Sequence, residues 1–404
     1  MNNPIDIVRH VFPADCRKKV FLVGGCVRDQ LLGRAKSDID LISALTPDEM
    51  TFSGFRLVTG KSTAPIWFRH DDVTGTIEAT LVADMKSALL ADLSCRDFTI
   101  NAMAQTLDGE IVDPLNGRND LDLRLMRACS PQTFRADPLR IFRALRFEAD
   151  GYRMVPETEQ LIRERDWTGT WTAIPMERFS RELLKAISLK EPERFFQRLL
   201  DLNVGAEYLP EIFRMPNIPA GPLIYHPEGD LFSHSCQVLQ RVAVLTFDPL
   251  ARFCAMFHDI GKLTTAPDQY PKHHGHEQAG FKMALEFCRR LRLPVKYGTA
   301  LSWISRLHGT LNLWDQLRDA TKLRVADQAV KAGIVDILPL VAAADKAGGS
   351  EPVEWRKVVT AVCISASDLG ISLQLLEGIP PSKRSDFIRQ VRIEKLRLTR
   401  TVST

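Results

Sequence analysis

Two aspartates one residue apart, Asp38 and Asp40, flank Ile39 in a short run of alternating polar and apolar residues. On a strand, positions i and i+2 share a face, so both carboxylates project together while Ile39 and Leu41 enter the core. Like charges this close repel unless a cation lies between them, and carboxylate oxygens suit Mg²⁺ that also bridges substrate phosphates. Just upstream, the apolar run 19–23 ends in Gly24 and Gly25, and a helix-like segment carrying Arg28 follows. Two glycines at a strand-to-helix turn let a ligand approach the backbone, the first helical amides suit phosphate oxygens, and Arg28 adds a charged fork. Together these features predict a triphosphate turn facing a metal-holding strand, the layout of two-metal nucleotidyl transfer. A third carboxylate is expected on a neighbouring strand. Glu78 is the first choice, with Asp72 and Asp84 as alternates.

A second concentration lies farther along the chain. Of nine histidines, seven fall between His226 and His308. This skew predicts a metal or phosphate site. His258 and Asp259 stand side by side, followed by Ile260, Gly261 and Lys262, near an expected helix end.

The elements that must position these groups change character along the chain. Short β-like runs at 19–23, 39–42, 76–81 and 110–112 alternate with helical segments and Gly or Asp turns, which predicts an α/β head. From about Asp137 onward the periodicity is helical. Prolines at 210, 216, 219, 222 and 227 interrupt the helices and mark a boundary. The stretch 383–400 reads as a modestly basic helix.

Composition bounds the rest. The chain has 404 residues, 45% of them hydrophobic, and a formal net charge of +3, so disorder is excluded and any polyanion site is local rather than general. The eight cysteines never fall at C-x-x-C spacing and predict reduced thiols. No apolar run approaches the length of a membrane span, and Asp6 stands where a signal peptide is apolar, so a cytoplasmic protein without membrane association is expected.

Five ordered blocks carry a family resemblance: G24-G-C-V-R-D29 with D38-I-D40, C95-R-D-F-T-I-N-A-M103, D113-P-L-N-G-R-N-D-L121, A136-D-P-L-R140, and E177-R-F-S-R-E-L-L-K185. The chain resembles the bacterial and eukaryotic class of tRNA nucleotidyltransferases, the CCA-adding enzymes that share their head with bacterial poly(A) polymerases. The resemblance implies that Arg96, Asp97 and Asn101 contact the ribose and triphosphate of the incoming nucleotide. It also implies that Asp137 and Arg140 form the amino-acid template that selects C and A, on a helix that carries Arg143 along the same side. Where the family usually has Glu this chain has Ala136, and where it has a second arginine this chain has Cys95. The stretch between Glu78 and Arg96 is shorter than in most CCA-adding members, a feature that in this family accompanies enzymes adding only the two cytidines.

His234, His258, Asp259 and Asp345 resemble the ligand set of HD-family phosphohydrolases. Two imidazoles and two carboxylates suit Mn²⁺, Fe²⁺, Ni²⁺ or Mg²⁺ better than a structural zinc. Lys262, His276 and His308, with His274, are expected to contact phosphate or a second cation. The head with an appended HD domain resembles bacterial multifunctional CCA proteins, whose HD domain hydrolyses 2′-nucleotides, 2′,3′-cyclic phosphates and other phosphate esters.

The expected organisation is an α/β nucleotidyltransferase head (1–130), an all-α neck and body (131–225), an all-α HD domain (226–350) and a helical tail facing tRNA (351–404). CTP, ATP and tRNA are the expected partners. A poly(A) polymerase is a near alternative. A protein uridylyltransferase, which also joins a Gly-Gly turn and D-x-D to an HD domain, is expected to lack the block 96–102.

Overall fold

The computed structural model describes residues 3–34, 38–58, 66–71 and 75–401. They form two compact units, Met1–Thr170 and Trp171–Thr404.

The first unit is built on a seven-stranded mixed sheet of β1 (Val20–Val23), β2 (Ile39–Ser43), β3 (Arg56–Val58), β4 (Ile66–Asp71), β5 (Gly75–Leu81), β6 (Ala104–Thr106) and β7 (Ile111–Val112). Their order is β3-β4-β5-β2-β1-β6-β7. The β2–β5 pair is parallel and the other pairs are antiparallel. Alternation is clearest around Asp40 and Glu78: Ile39, Leu41, Ile77 and Ala79 are buried, while Asp40 and Glu78 between them are not. On the other face, Val23, Ile42 and Ala104 pack against Leu89 and Leu93.

Three helices of this unit bear on the site. The helix α1 (Gly25–Leu31) starts at the Gly24 turn. The helix α2 (Met85–Cys95) supplies Leu89 and Leu93, one turn apart, and begins at Asp84, whose carboxylate accepts the Ser87 amide at 3.0 Å. The helix α3 (Leu139–Ala149) buries Ile141, Phe142, Leu145 and Phe147 and leaves its arginines on the opposite side.

The second unit is helical. The passage 210–230 forms a short helix, Pro210–Arg214, and then a loop closed by Ala220 N donating to Gly229 O at 2.9 Å and Leu231 N to Ile218 O at 2.8 Å. Beyond it come α4 (Leu231–Leu245), α5 (Pro249–Phe257), a 3-10 turn at Ile260–Thr264, α6 (His276–Arg290), α7 (Val295–Leu311) and α8 (Ile337–Asp345). A basic terminal helix, α9 (Pro381–Thr401), ends the described chain. No described helix is long and apolar enough to cross a membrane.

The expected α/β head and helical remainder match this architecture. The strands β3, β4 and β6 were not expected. All of β3 is exposed, β6 is buried without alternation, and neither carries a period-2 signal.

Candidate functional site

In the head, sheet register does the positioning. Asp40 pairs with Val23 on one side and with Glu78 on the other, so the two carboxylates and the end of β1 sit side by side on one face. Asp38 is exposed just before β2. Burial, then the charges of Glu78 and Asp38, push the Asp40 carboxyl up to about 6 against the pull of Arg96 and Arg143. Crowded carboxylates of this kind fit a hard divalent cation, which would offset the repulsion on Asp40. Among the alternates, Asp84 is occupied as a helix cap, and Asp72 lies outside the described residues.

Gly24 turns the chain from β1 into α1 at φ +79°, and a side chain there would overlap the Arg96 guanidinium while approaching Asp40. Gly25 opens the helix. Arg96, at the end of α2, is braced by Asp92 one turn back, Nε to Oδ2 at 2.7 Å. Asp92 was missing from the sequence reading and is marked there only by its i,i+4 spacing to Arg96.

Asp97 and Asn101 are buried and bonded to each other rather than pointing freely at a ligand. Asp97 Oδ1 accepts from Asn101 Nδ2 at 3.0 Å and from the Phe98 amide at 2.8 Å, and Arg143 Nη2 lies 2.7 Å from Oδ2. Burial pushes this carboxyl up, yet Arg143 and the two hydrogen bonds outweigh it and hold it below the usual carboxylate range. Asn101 Oδ1 in turn accepts from Arg28 Nη1 at 2.5 Å, and the other side of that guanidinium donates to Asp29. Arg28, Asn101, Asp97 and Arg143 thus form one continuous chain. Asp137 accepts the Leu139 amide at 3.2 Å at the start of α3. Arg140 reaches the Cys95 carbonyl at 2.8 Å and the Arg96 and Thr133 carbonyls at 3.3 Å.

In the second unit, the first turn of one helix and the ends of two others converge. His234 comes from α4, His258 and Asp259 from the end of α5, and Asp345 from the last position of α8. Their ligand atoms all lie within 4.8 Å of one another. His234 Nε2 is 3.0 Å from Asp345 Oδ1, and His258 Nε2 is 3.3 Å from Asp259 Oδ2. Both imidazoles have Nδ1 engaged: His258 with the Ala255 carbonyl at 2.9 Å, His234 with Glu228 at 2.6 Å. His258 Nε2 and Asp259 Oδ1 are buried without a hydrogen-bond partner. Leaving such atoms unpaired is costly, and an ion held between them would supply the missing partner. The donor set therefore fits a divalent metal.

A second group shares Asp259. Its Oδ1 faces Nε2 of His276 at 3.4 Å and of His308 at 3.3 Å, and both rings bond through Nδ1 to backbone carbonyls. Lys262 Nζ lies 2.6 Å from Asp259 Oδ2 and donates to the Ala220 carbonyl at 2.6 Å, so it orients the aspartate. His274 is exposed. Asp259, Lys262, His276 and His308 line a cavity of about 650 Å³ that also includes Tyr225 and His226. Two partners were not anticipated: Glu228, and Asn312, which donates to Asp345 Oδ2 at 2.6 Å. Glu228 follows His226 by two residues, but a lone H-x-E spacing is common on surfaces.

Two family descriptions match the chain. Residues 20–63 and 65–127 match the poly A polymerase head domain, and residues 231–338 match the HD domain. Both classes are metal-dependent. The multifunctional CCA protein of Methylococcus capsulatus is 33% identical over 422 residues, spanning 96% of this chain and 97% of the relative. The crystal structure of the Bacillus stearothermophilus CCA-adding enzyme in complex with CTP is similar at TM-score 0.67 and 20% identity over all of both chains. The Thermotoga maritima CCA-adding enzyme complexed with tRNA is similar at TM-score 0.62 and 19% identity, covering 96% of this chain and 93% of that one.

Proposed function

The chain belongs to the multifunctional CCA protein family, and on that premise we propose that it adds C and A to the 3′ end of tRNA from CTP and ATP without a nucleic-acid template. The observation that carries this reading is the register that sets Asp40 beside Glu78 at the Gly24 turn. Asp38 and Asp40, backed by Glu78, hold Mg²⁺, which when bound eases ionisation of the tRNA 3′-hydroxyl and offsets charge on departing pyrophosphate. The Gly24–Gly25 turn and Arg28 receive the triphosphate, and Arg96 with Asp97 and Asn101 fixes the ribose. Asp137 accepts from the exocyclic amine that cytosine and adenine share. Arg140, already oriented by the Cys95 and Arg96 carbonyls, donates to the neighbouring ring acceptor, with Arg143 behind it. Guanine and uracil leave these groups unpaired, at a cost of ~1–3 kcal/mol each.

The second site is a metal-dependent phosphohydrolase acting on 2′,3′-cyclic phosphates, 2′-nucleotides or related esters. His234, His258, Asp259 and Asp345 hold Ni²⁺, Mn²⁺, Fe²⁺ or Mg²⁺, which when bound polarises the ester and activates water. Lys262 keeps Asp259 oriented, while His276 and His308 meet phosphate or a second cation. Eight free cysteines support a cytoplasmic setting.

A second reading of the head is favoured by one feature. Only residues 82–84 separate β5 from α2, and the resemblance attaches such a short stretch to enzymes that leave the last adenosine to a partner enzyme. Transfer RNA lacking its CCA end, incubated with labelled CTP, ATP or both, decides between them on a gel. Growth by three nucleotides supports the full reaction, and arrest at two with ATP present supports the partial one. A long A-tail identifies a poly(A) polymerase. For the second site, hydrolysis of 2′,3′-cyclic AMP with Ni²⁺ or Mn²⁺ should vanish in His258→Ala; equal turnover removes that assignment.

A further inference from the structure

We propose that Glu228 is the positioning residue of the histidine and aspartate site: one carboxylate oxygen fixes the tautomer of His234 and ties that ligand to the cavity wall through His226. The inference rests on reading His234, His258, Asp259 and Asp345 as metal ligands. Glu228 Oε1 lies 2.6 Å from His234 Nδ1 and 3.0 Å from His226 Nδ1. An ionised carboxylate only accepts, so both rings carry hydrogen on Nδ1 and each neutral ring keeps its lone pair on Nε2. For His234 that nitrogen lies 3.0 Å from Asp345 Oδ1 and 3.8 Å from Asp259 Oδ2. Without Glu228, the ring has a second tautomer and a flipped orientation open to it, and the ligand-ready form becomes one state among several.

The surroundings are shaped for this contact. Backbone hydrogen bonds from Ala220 to Gly229 and from Leu231 to Ile218 close the loop that carries His226 and Glu228 onto the start of α4. At Gly221 in that loop, a Cβ would collide with the His226 ring, so the glycine leaves the space this imidazole fills. The Glu228 side chain is largely covered, 8% exposed, so water is a poor substitute acceptor. His226, Glu228 and His234 are also close enough to share a cation directly. The positioning role is favoured because His234 faces the two aspartates with Nε2 and spends Nδ1 on Glu228.

The test uses the full-length protein stripped of metal, as wild type, Glu228→Gln, Glu228→Ala and His226→Asn. Each is titrated with Ni²⁺ alone and Mn²⁺ alone against a fluorescent chelator, and melting of the metal-free proteins is followed in parallel. Glu228→Ala is expected to bind ~10–100-fold more weakly. Glu228→Gln, which keeps an acceptor but loses the charge, should fall in between and melt with the wild type, and His226→Asn should stay nearest the wild type. Equal affinity in the wild type and both Glu228 variants overturns the proposal, as does an affinity loss in Glu228→Gln matched by a lower metal-free melting temperature. Loss of a second metal equivalent in Glu228→Gln and His226→Asn, with the first unchanged, overturns it in favour of direct ligation. A wild type that binds neither ion refutes the metal reading itself.

Discussion

Asp40 shows how a functional group opposes the fold that holds it. Its carboxyl is raised from an ordinary 3.8 to about 6 by burial and by Glu78 and Asp38. The folded state then binds a proton more tightly than the unfolded one. Stability is therefore lost as pH rises from about 4 through 6. The metal-free Asp40→Asn variant should melt above the wild type at pH 7.5, by of order 1–3 kcal/mol, and the gap should close as pH falls toward 4. A calorimetric series across that range reads it, and a variant that melts lower at pH 7.5 contradicts the assigned crowding. Asp97 has the opposite sign. Arg143 and its hydrogen bonds hold it low, so its contribution is present above the ordinary carboxylate pKa and fades as acid protonates it. Arg143→Leu should lower stability at pH 7 by roughly 1–3 kcal/mol and raise KM for CTP, because Asp97 and, through Asn101, Arg28 lose their brace. An unchanged KM with lower stability would confine Arg143 to a structural role.

At the scale of elements, the head depends on β2 and β5 lying parallel in one register. A one-residue slip of β5 turns Glu78 to the far face and brings Ile77 beside Asp40. Inserting one residue within β5 should abolish nucleotide addition, whereas lengthening the 82–84 connection should leave addition of the first C intact; comparing single-C incorporation by the two variants checks this. This also explains what the sequence made legible. Alternation in β2 and β5 announced both strands, because period-2 burial is written locally; Asp38 falls just before β2 rather than on it. The Asp97–Arg143 pair joins residues distant in sequence, and nothing local encodes a tertiary approach; Glu228 and His234 are only six residues apart, but they meet because the loop before α4 folds back onto its first turn, and no helical or strand period marks that turn. Arg140 was legible as an arginine on the right helix side, yet its clasp on the Cys95 carbonyl emerges only when α2 and α3 meet. The strand β3, exposed along its length, carries no hydrophobic period to read.

At the scale of the molecule, each compact unit contains its own complete set of candidate ligands. The two activities should therefore separate by point mutation. His258→Ala is expected to remove cyclic phosphate hydrolysis and leave CTP incorporation near wild type, and Asp40→Ala to do the reverse; loss of both activities in either variant would contradict independent sites. Net charge of only +3 predicts tRNA affinity that rests on local basic surfaces such as α9 and weakens steeply with salt. The most direct measurement of the central claim is Mg²⁺-dependent incorporation of labelled CTP into tRNA lacking its CCA end, by wild type against Asp40→Ala of equal foldedness. The account predicts incorporation by the wild type and a loss on the order of 100–1,000-fold in the variant, the size typical when one preorganised charge-stabilising group is removed. Incorporation by both at similar rates would contradict it.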